Sequence, residues 1–181
     1  MKHINLNPMN PPLNWQDKLP DELPQGWGER AAVLCQAQSL TAALRALGGS
    51  FTVKVLYMGE LDGQGNSFGE NHAETAAPQF VRDVLLHLDG VPVVQARSAC
   101  SPQSQAWRGV LDCGTQPLGE RLFDGTLPLK RSAFEFCLME NAGGQDDFRR
   151  PVADRRSYFD WDGEVLELTE YFLPGLARIM R

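Results

Sequence analysis

Three charged residues occupy positions that strand alternation assigns to apolar faces, and they are the main candidates for chemistry. Arg82 falls on the apolar face of the run 80–88, and Glu170 falls on that of the run 166–172. A charge buried without a partner is costly, so each needs a counter-ion or a bound ligand. Arg97 is predicted to lie opposite Arg82 in a hairpin, where two like charges repel. The pattern therefore predicts a pocket for an anionic small molecule that also carries a hydroxyl.

Two β-hairpins must position these residues. The residues at 89–90 and at 162–163 are both Asp-Gly, the signal of a two-residue type I′ turn. Glycine adopts positive φ at little cost and aspartate tolerates it, so each turn sets the register of its strands. Counting outward from 162–163 places Arg155 opposite Glu170, and counting from 89–90 gives the pairing of the two arginines described above.

The remaining pattern predicts an α+β fold with about six antiparallel strands and two helical pairs. Ser39 is a suitable N-cap for the second helix, which Gly48 and Gly49 terminate. Residues 1–26 are rich in Asn and Pro and predict an N-terminal arm, followed by a single domain at 27–181. The other predicted elements are helices at 27–35, 40–47, 102–110 and 116–123, strands at 50–58 and 127–139, loops at 59–78 and 141–150, and a partly helical tail at 174–181.

Composition and charge indicate an ordinary globular protein. The chain has 181 residues, of which 43% are hydrophobic and 22% charged, and this suits one domain with a sizeable core. A net charge of −6 argues against nucleic-acid binding, which calls for a basic face. No apolar run approaches the length of a membrane span, and the N-terminus has no signal-peptide pattern. We therefore expect a cytoplasmic protein with no nucleic-acid partner and no stable membrane insertion.

The cysteines and histidines do not indicate a metal or redox centre. Four cysteines occur without C-x-x-C spacing, and three histidines are scattered along the chain. Free cysteines are most often buried in the core. Cys113 stands beside Asp112 and Gly114 in a predicted loop, but no histidine is placed by sequence to activate it as a nucleophile. We expect no metal site and no catalytic thiol.

Five segments, taken together and in order, resemble the chorismate pyruvate-lyase family. They are FVRDVLL at 80–86, QARS at 95–98, TQPLGERLF at 115–123, RRS at 155–157 and LTEYFLP at 168–174. Each segment alone is a weak signal, but their order and spacing match the family over most of the chain. The family converts chorismate to 4-hydroxybenzoate and pyruvate for ubiquinone synthesis. The resemblance implies this substrate and product. It also implies a fold in which a highly curved antiparallel sheet is covered by helical pairs at 27–47 and 102–123, which act as flaps over a closed cavity.

The resemblance also implies roles for individual residues. Arg82 would hold the ring carboxylate of the ligand and Glu170 its ring hydroxyl, with the backbone at Leu118 also touching the ligand. Leu40 takes the place of a methionine that contributes in other members. We assign Arg97 to the departing enolpyruvyl group, since a cation aimed at developing charge acts strongly in a dry site. Loss of that group aromatises the ring, so we expect no cofactor, and we expect a monomer.

Each candidate residue also has a structural interpretation that the sequence leaves open. An arginine on an edge strand can cover apolar surface with its stem while its head reaches water. Opposite charges across a hairpin stabilise each other, and a Pro-Leu-Gly stretch is most often a turn before a helix. The structural alternatives are an edge position for Arg82, a pairing of Arg97 with Asp83 or Asp112, a pairing of Glu170 with Arg155, a turn at 115–119 and a core position for Leu40. Arg155 and Arg156 are interpreted as a solvated pair and are not assigned to the site.

Two further functional classes are consistent with parts of the sequence. The effector-binding domains of some transcription regulators are similar in fold and bind small ligands without chemistry. Such a domain normally follows a basic helix-turn-helix module, whereas residues 1–50 predict two short helices and no basic recognition helix. A structural protein with no ligand would leave the three charges on apolar faces unexplained.

Overall fold

The computed structural model describes residues 14–21, 23, 27–62, 77–138 and 152–180 as an α+β fold. Within these residues, seven strands form one antiparallel sheet and five helices accompany it. The helices are α1 (Glu29–Cys35), α2 (Leu40–Ala46), α3 (Gln105–Leu111), α4 (Leu118–Phe123) and α5 (Pro174–Ile179). The strands are β1 (Phe51–Leu61), β2 (Gln79–Leu88), β3 (Val91–Cys100), β4 (Lys130–Arg131), β5 (Glu135–Leu138), β6 (Ala153–Trp161) and β7 (Glu164–Phe172).

The core lies between one face of this sheet and the helices. The strands are ordered β1-β2-β3-β7-β6-β4, and β5 also pairs with β6. Leu44 of α2, Trp107 of α3 and Phe172 of β7 are fully buried in one hydrophobic cluster. The predicted α+β class, with helical pairs α1–α2 and α3–α4 beside an antiparallel sheet, is confirmed.

One predicted strand is wrong, because residues 127–139 do not form a single element. They divide into β4 and β5, which pair with different parts of β6. In an uninterrupted strand, residues 131 and 134 would lie on opposite faces. The break instead brings the Phe134 ring against two guanidinium groups, with its centroid 4.1 Å from Arg131 Cζ and 4.2 Å from Arg155 Cζ. Cations at such distances from a ring are attracted by its quadrupole.

The β6–β7 hairpin has the predicted turn and the predicted register. Asp162 and Gly163 both have positive φ, 51° and 89°, as a type I′ turn requires. Arg155 lies directly opposite Glu170. The sequence count from the turn is therefore confirmed for this hairpin.

The β2–β3 hairpin has the predicted turn but not the predicted register. Positive φ values at 89–90 confirm the turn. Beyond it, Pro92 lies opposite His87, whereas the next pair joins Leu86 to Val94, so one residue of β3 has no partner. Proline cannot donate to the ladder, and a bulge beside it accommodates the missing hydrogen bond.

The bulge changes which residues share a face of the sheet. Arg82 lies opposite Ser98, not Arg97, and Arg97 lies opposite Asp83. A slip of one residue moves a side chain to the other face of a sheet. The predicted pairing of the two arginines is therefore wrong.

The predicted signals at the ends of α2 are confirmed. Ser39 Oγ accepts a hydrogen bond from Ala42 N at 3.3 Å, which is the geometry of an N-cap. Gly48 and Gly49 follow the helix with φ values of 82° and 84°, a region that favours glycine. These signals fix the length of the α2 segment above the sheet.

Part of the predicted N-terminal arm lies against the domain. Gln16 exchanges backbone hydrogen bonds with Phe136 of β5 at 2.8 and 2.7 Å. Residues 1–13, 22 and 24–26 of the arm, most of the predicted loop at 59–78 and the predicted loop at 141–150 lie outside the described residues. The domain boundary after residue 26 stays a prediction. Among the residues the structure does describe, no helix is long and apolar enough to cross a bilayer.

Gly175, at the start of α5, offers a test of this packing. A Cβ placed there would lie 2.1 Å from Pro92 O, and a backbone oxygen cannot move aside cheaply. We expect Gly175→Ala to lower the free energy of unfolding by about 1–3 kcal/mol, the usual cost of overpacking. Urea unfolding followed by circular dichroism measures this change.

A matched control is Gly109→Ala in α3, where an added Cβ meets nothing within 4 Å. Alanine there is expected to raise stability by about 0.5–1 kcal/mol, because glycine is a poor helix former. Equal stability of the Gly175→Ala protein and the wild type would mean that α5 does not dock on β3 as described.

Candidate active site

A narrow cavity lies between the sheet and the helices, lined by strands from both edges of the sheet. Val53 of β1 and Arg131 of β4 contact the same cavity, so the sheet must curve around it. Helices α2 and α4 and the residues just before them cover it. Its volume is about 40 Å³, so it has room for a few water molecules at most. Among the described residues, the charged side chains that line it are Arg82, Arg131, Arg155 and Glu170.

Arg82 is buried, with 1% of its surface exposed, so its edge-strand alternative is wrong. Its Nη2 donates to Gly114 O at 2.7 Å and to Gln116 O at 3.2 Å, both in the turn before α4. Its Nε is buried without a hydrogen-bond partner among the described residues. Burial lowers the pKa of this guanidinium, and Cys113 offsets the shift in part. The backbone carbonyls thus hold the guanidinium on one side, while Nε has no partner among the residues that the structure describes.

Glu170 and Arg155 form a buried ion pair across the β6–β7 hairpin. Arg155 Nε donates to Glu170 Oε2 at 2.5 Å, and the two side chains are 1% and 8% exposed. Arg155 Nη1 donates to Cys35 O and Ala37 O, both at 2.7 Å, where α1 ends. Arg155 Nη2 is buried with no partner in the described part of the chain. The structural alternative for Glu170, pairing with Arg155, is therefore confirmed, and both residues also line the cavity.

Arg131 is a third cation in the cavity wall. Its Nη1 donates to Gln38 O at 2.6 Å and its Nε to Ser157 Oγ at 3.1 Å. Its guanidinium also lies 4.1–5.2 Å from the centroids of three phenyl rings, those of Phe123, Phe134 and Phe159. Burial lowers the pKa of Arg131 to about 10, with Glu170 opposing and Arg155 adding to the shift. Arg131 remains a cation at neutral pH.

Leu40 and Leu118 both lie in the cavity wall, one from each covering helix. Both are buried and belong to the main hydrophobic cluster, so the core position considered for Leu40 is also correct. Close packing between the two helices depends on Gly119, where a Cβ would lie 2.9 Å from Thr41 Oγ1. The Pro-Leu-Gly stretch thus closes the cavity from above and is more than a turn.

The structure does not bring Arg97 to the cavity. Its Nη2 lies 2.6 Å from Asp83 Oδ2 on the other face of the sheet, and the side chains are 13% and 4% exposed. A hydrogen bond from Arg97 Nε to Asp83 Oδ1 at 2.8 Å makes the contact bidentate and raises the pKa of Arg97. The expected place of Arg97 in the pocket is wrong because of the β2–β3 bulge, and its structural alternative is correct.

Cys113 lies near the Arg82 end of the cavity but does not line it. Its Sγ contacts Gln116 O at 3.5 Å. The described part of the chain contains no group of three or more His, Cys, Asp or Glu side chains arranged to hold a metal ion.

Of the four charged residues that line the cavity in the described part of the chain, sequence reasoning missed two. Arg155 carried a usable signal, because the turn count placed it opposite Glu170 on an apolar face. Arg131 carried none, because the break after β4 changes the face on which its neighbours lie. The structure brings Arg82, Glu170, Leu40 and Leu118 together in the cavity wall, and their roles toward a ligand stay predictions.

Comparison with known proteins assigns the chain to a family. The family model described as chorismate lyase matches residues 18–180, and the chain belongs to this family. A probable chorismate pyruvate-lyase of Ralstonia nicotianae is 33% identical, and the match covers 90% of each chain. One from Shewanella loihica is 30% identical over 96% of this chain and 94% of that protein. The effector domain of PhnF from Mycobacterium smegmatis matches with 16% identity and a TM-score of 0.43, covering 75% of this chain and 88% of that one.

Replacement of Arg97 tests its position on the far face of the sheet. Arg97→Ala leaves Asp83 buried without its partner, so the free energy of unfolding should fall by about 3–5 kcal/mol. Chemical denaturation measures the loss. The double variant Asp83→Ala/Arg97→Ala should recover much of it, because no charge is then left unpaired.

Ligand affinity measured on the folded Arg97→Ala protein should stay close to that of the wild type. A large loss of affinity with unchanged stability would place Arg97 in the cavity after all.

Proposed function

We propose that this protein is a chorismate pyruvate-lyase that releases pyruvate from chorismate and forms 4-hydroxybenzoate for ubiquinone biosynthesis. One observation carries the proposal. Arg82 Nε and Arg155 Nη2 are buried in the wall of a single cavity without partners among the described residues. Buried cationic donors in this state favour an anionic ligand, because a charge-assisted hydrogen bond offsets their desolvation. The cavity also holds a carboxylate, Glu170, that can accept a hydrogen bond from a hydroxyl.

The two ends of the cavity suit the two ends of the product ring. Arg82 would hold the ring carboxylate, since its guanidinium is already fixed by the turn at 114–116. Glu170, held by Arg155 at 2.5 Å, would accept the ring hydroxyl. Leu40 and Leu118 would cover the ring from the helical side. Groups fixed before the ligand arrives lower the entropic cost of orienting it.

The reaction needs few protein groups because aromatisation supplies the driving force. The ring carbon–oxygen bond breaks, and its electrons become the carbonyl of pyruvate. The electrons of the neighbouring ring carbon–hydrogen bond complete the aromatic ring. The hydrogen moves to the methylene of the enolpyruvyl group, whose π electrons bind it and form the methyl group of pyruvate. This concerted route uses no base and no cofactor, and Glu170 then serves to orient the ring.

The cavity must widen before a ring can enter. Its volume of about 40 Å³ is well below the ~150 Å³ of an apolar cavity that holds benzene. Helices α2 and α4 are joined at the surface by an Arg45–Glu120 ion pair at 2.8 Å, with the two side chains 52% and 43% exposed. Exposed pairs contribute little stability, so this ion pair does little to hold the two helices together. We propose that α1–α2 and α3–α4 act as flaps, in a cytoplasmic monomer.

The proposed activity is tested directly by incubating purified protein with chorismate and no added cofactor. The experiment follows 4-hydroxybenzoate by absorbance and pyruvate by a coupled assay. Equal yields of the two products support the proposed activity. Binding of 4-hydroxybenzoate with no turnover would instead favour an effector-binding module.

We expect Arg82→Ala to weaken 4-hydroxybenzoate binding by about 10- to 100-fold, the range for loss of one charged hydrogen bond. Isothermal titration calorimetry measures this affinity. Arg82→Lys should recover part of it, because lysine keeps the charge but lacks the planar fork.

The matched control is Arg156→Ala, which removes a β6 arginine that pairs with Glu135 on the other face of the sheet. Its product affinity should be near that of the wild type. Unchanged affinity in a folded Arg82→Ala protein would remove Arg82 from the ligand site.

Glu170→Gln separates orientation of the ring from proton abstraction. Glutamine keeps an acceptor oxygen but cannot act as a base. If Glu170 orients the ring, the variant keeps a substantial fraction of kcat, and this is the result we expect. If it is a general base, kcat falls by about 10²- to 10⁴-fold.

Glu167→Gln is the matched control, since Glu167 lies on the same strand but outside the cavity. Steady-state kinetics compares the two variants. Wild-type kinetics and wild-type product affinity in Glu170→Gln would exclude Glu170 from the site.

A further inference from the structure

The charges in the cavity wall do not balance for a product with one carboxylate. Three arginines and one glutamate line the cavity among the described residues, Arg82, Arg131, Arg155 and Glu170. Their charges sum to +2 at neutral pH. A ligand with one carboxylate leaves part of this charge uncompensated in a region of low dielectric constant. A ligand with two carboxylates neutralises it.

Chorismate carries two carboxylates, one on the ring and one on the enolpyruvyl group, whereas each product carries one. Arg82 lies beside the turn that precedes α4 and accounts for one of them. Arg131 and Arg155 lie on β4 and β6, and both guanidinium groups stack on the Phe134 ring. The cavity therefore presents two cationic regions, supplied by different parts of the sheet.

The guanidinium group of Arg131 is held in a fixed position by several contacts. These contacts are with Gln38 O, Ser157 Oγ and three aromatic rings. No carboxylate among the described residues forms a salt bridge with it. Arg155, fully buried beside it, keeps Nη2 without a partner in the described part of the chain. Among the described residues, Glu170 is the one acidic side chain beside these two fixed cations. The positive charge in this region therefore exceeds the negative charge.

We infer that Arg131 and Arg155 Nη2 form a second carboxylate subsite, which binds the enolpyruvyl carboxylate of chorismate. This inference rests on the proposed function. The role first assigned to Arg97 thus falls to Arg131. The leaving group becomes pyruvate. A cation at this position stabilises its carboxylate, and it also stabilises the oxygen that accepts electrons as the ring carbon–oxygen bond breaks.

The test compares substrate and product in the same variants. In Arg131→Gln, kcat/KM for chorismate should fall by about 10- to 100-fold, the range for loss of a charged contact. The Kd for 4-hydroxybenzoate should change less than about threefold, since Arg82 and Glu170 hold that molecule. Arg131→Lys should fall between the two proteins, because it keeps the charge without the fork.

Arg156→Gln is the control, because it removes the same charge from the other face of β6 and should leave both quantities unchanged. An equal loss of product affinity in Arg131→Gln would show that Arg131 acts on the whole cavity, and the inference would fail. Unchanged kcat/KM in that variant would also overturn it.

If Arg131→Gln does not fold, Arg131→Lys carries the test, and a normal kcat/KM there would count against the subsite. Failure of the proposed function is distinct from these results, because it appears as no pyruvate release by the wild-type protein.

Discussion

The buried pair of Arg155 and Glu170 is the interaction on which the site depends. Taking two charges out of water is costly, and their mutual attraction repays the cost only when the remaining donors and acceptors are also satisfied. Arg155 meets much of this demand by donating to two backbone carbonyls at the end of α1. The pair therefore ties the β6–β7 hairpin to the first helical pair. The same contacts fix the direction of the Glu170 carboxylate.

The rest of the cavity follows from the same electrostatic constraint. Arg82 is buried and Arg131 is half-buried. Their guanidinium groups are fixed by backbone carbonyls, a hydroxyl and aromatic rings, and no carboxylate among the described residues pairs with either. Carbonyls and rings compensate a cation less fully than a carboxylate does. Part of the desolvation cost is thus left for a bound anion to offset. A cavity of this kind gives up some stability of the protein in exchange for affinity toward anionic ligands.

The two faces of the sheet use arginine differently. On the cavity face, Arg82 Nε and Arg155 Nη2 have no hydrogen-bond partner among the described residues. On the other face, Arg97 is matched by a bidentate contact with Asp83, which leaves it little capacity for a ligand. A single bulge beside Pro92 decides which arginine lies on which face. Closure by α2 and α4 then depends on Gly119, whose lack of a side chain lets the helices approach.

The sequence by itself determined the α+β class and both Asp-Gly turns, because these depend on local propensity. It also determined the β6–β7 register and the candidates Arg82 and Glu170, because these follow from alternation along strands that start at a fixed turn. It did not determine the β2–β3 register, since a bulge adds a residue that alternation cannot count. Nor did it reveal Arg131, because the break between β4 and β5 changes the face on which its neighbours lie, and its guanidinium packs against Phe123 and Phe159 of other elements. Only the tertiary structure decided which cations share the cavity, since their compensation comes from helices and strands far apart in the chain.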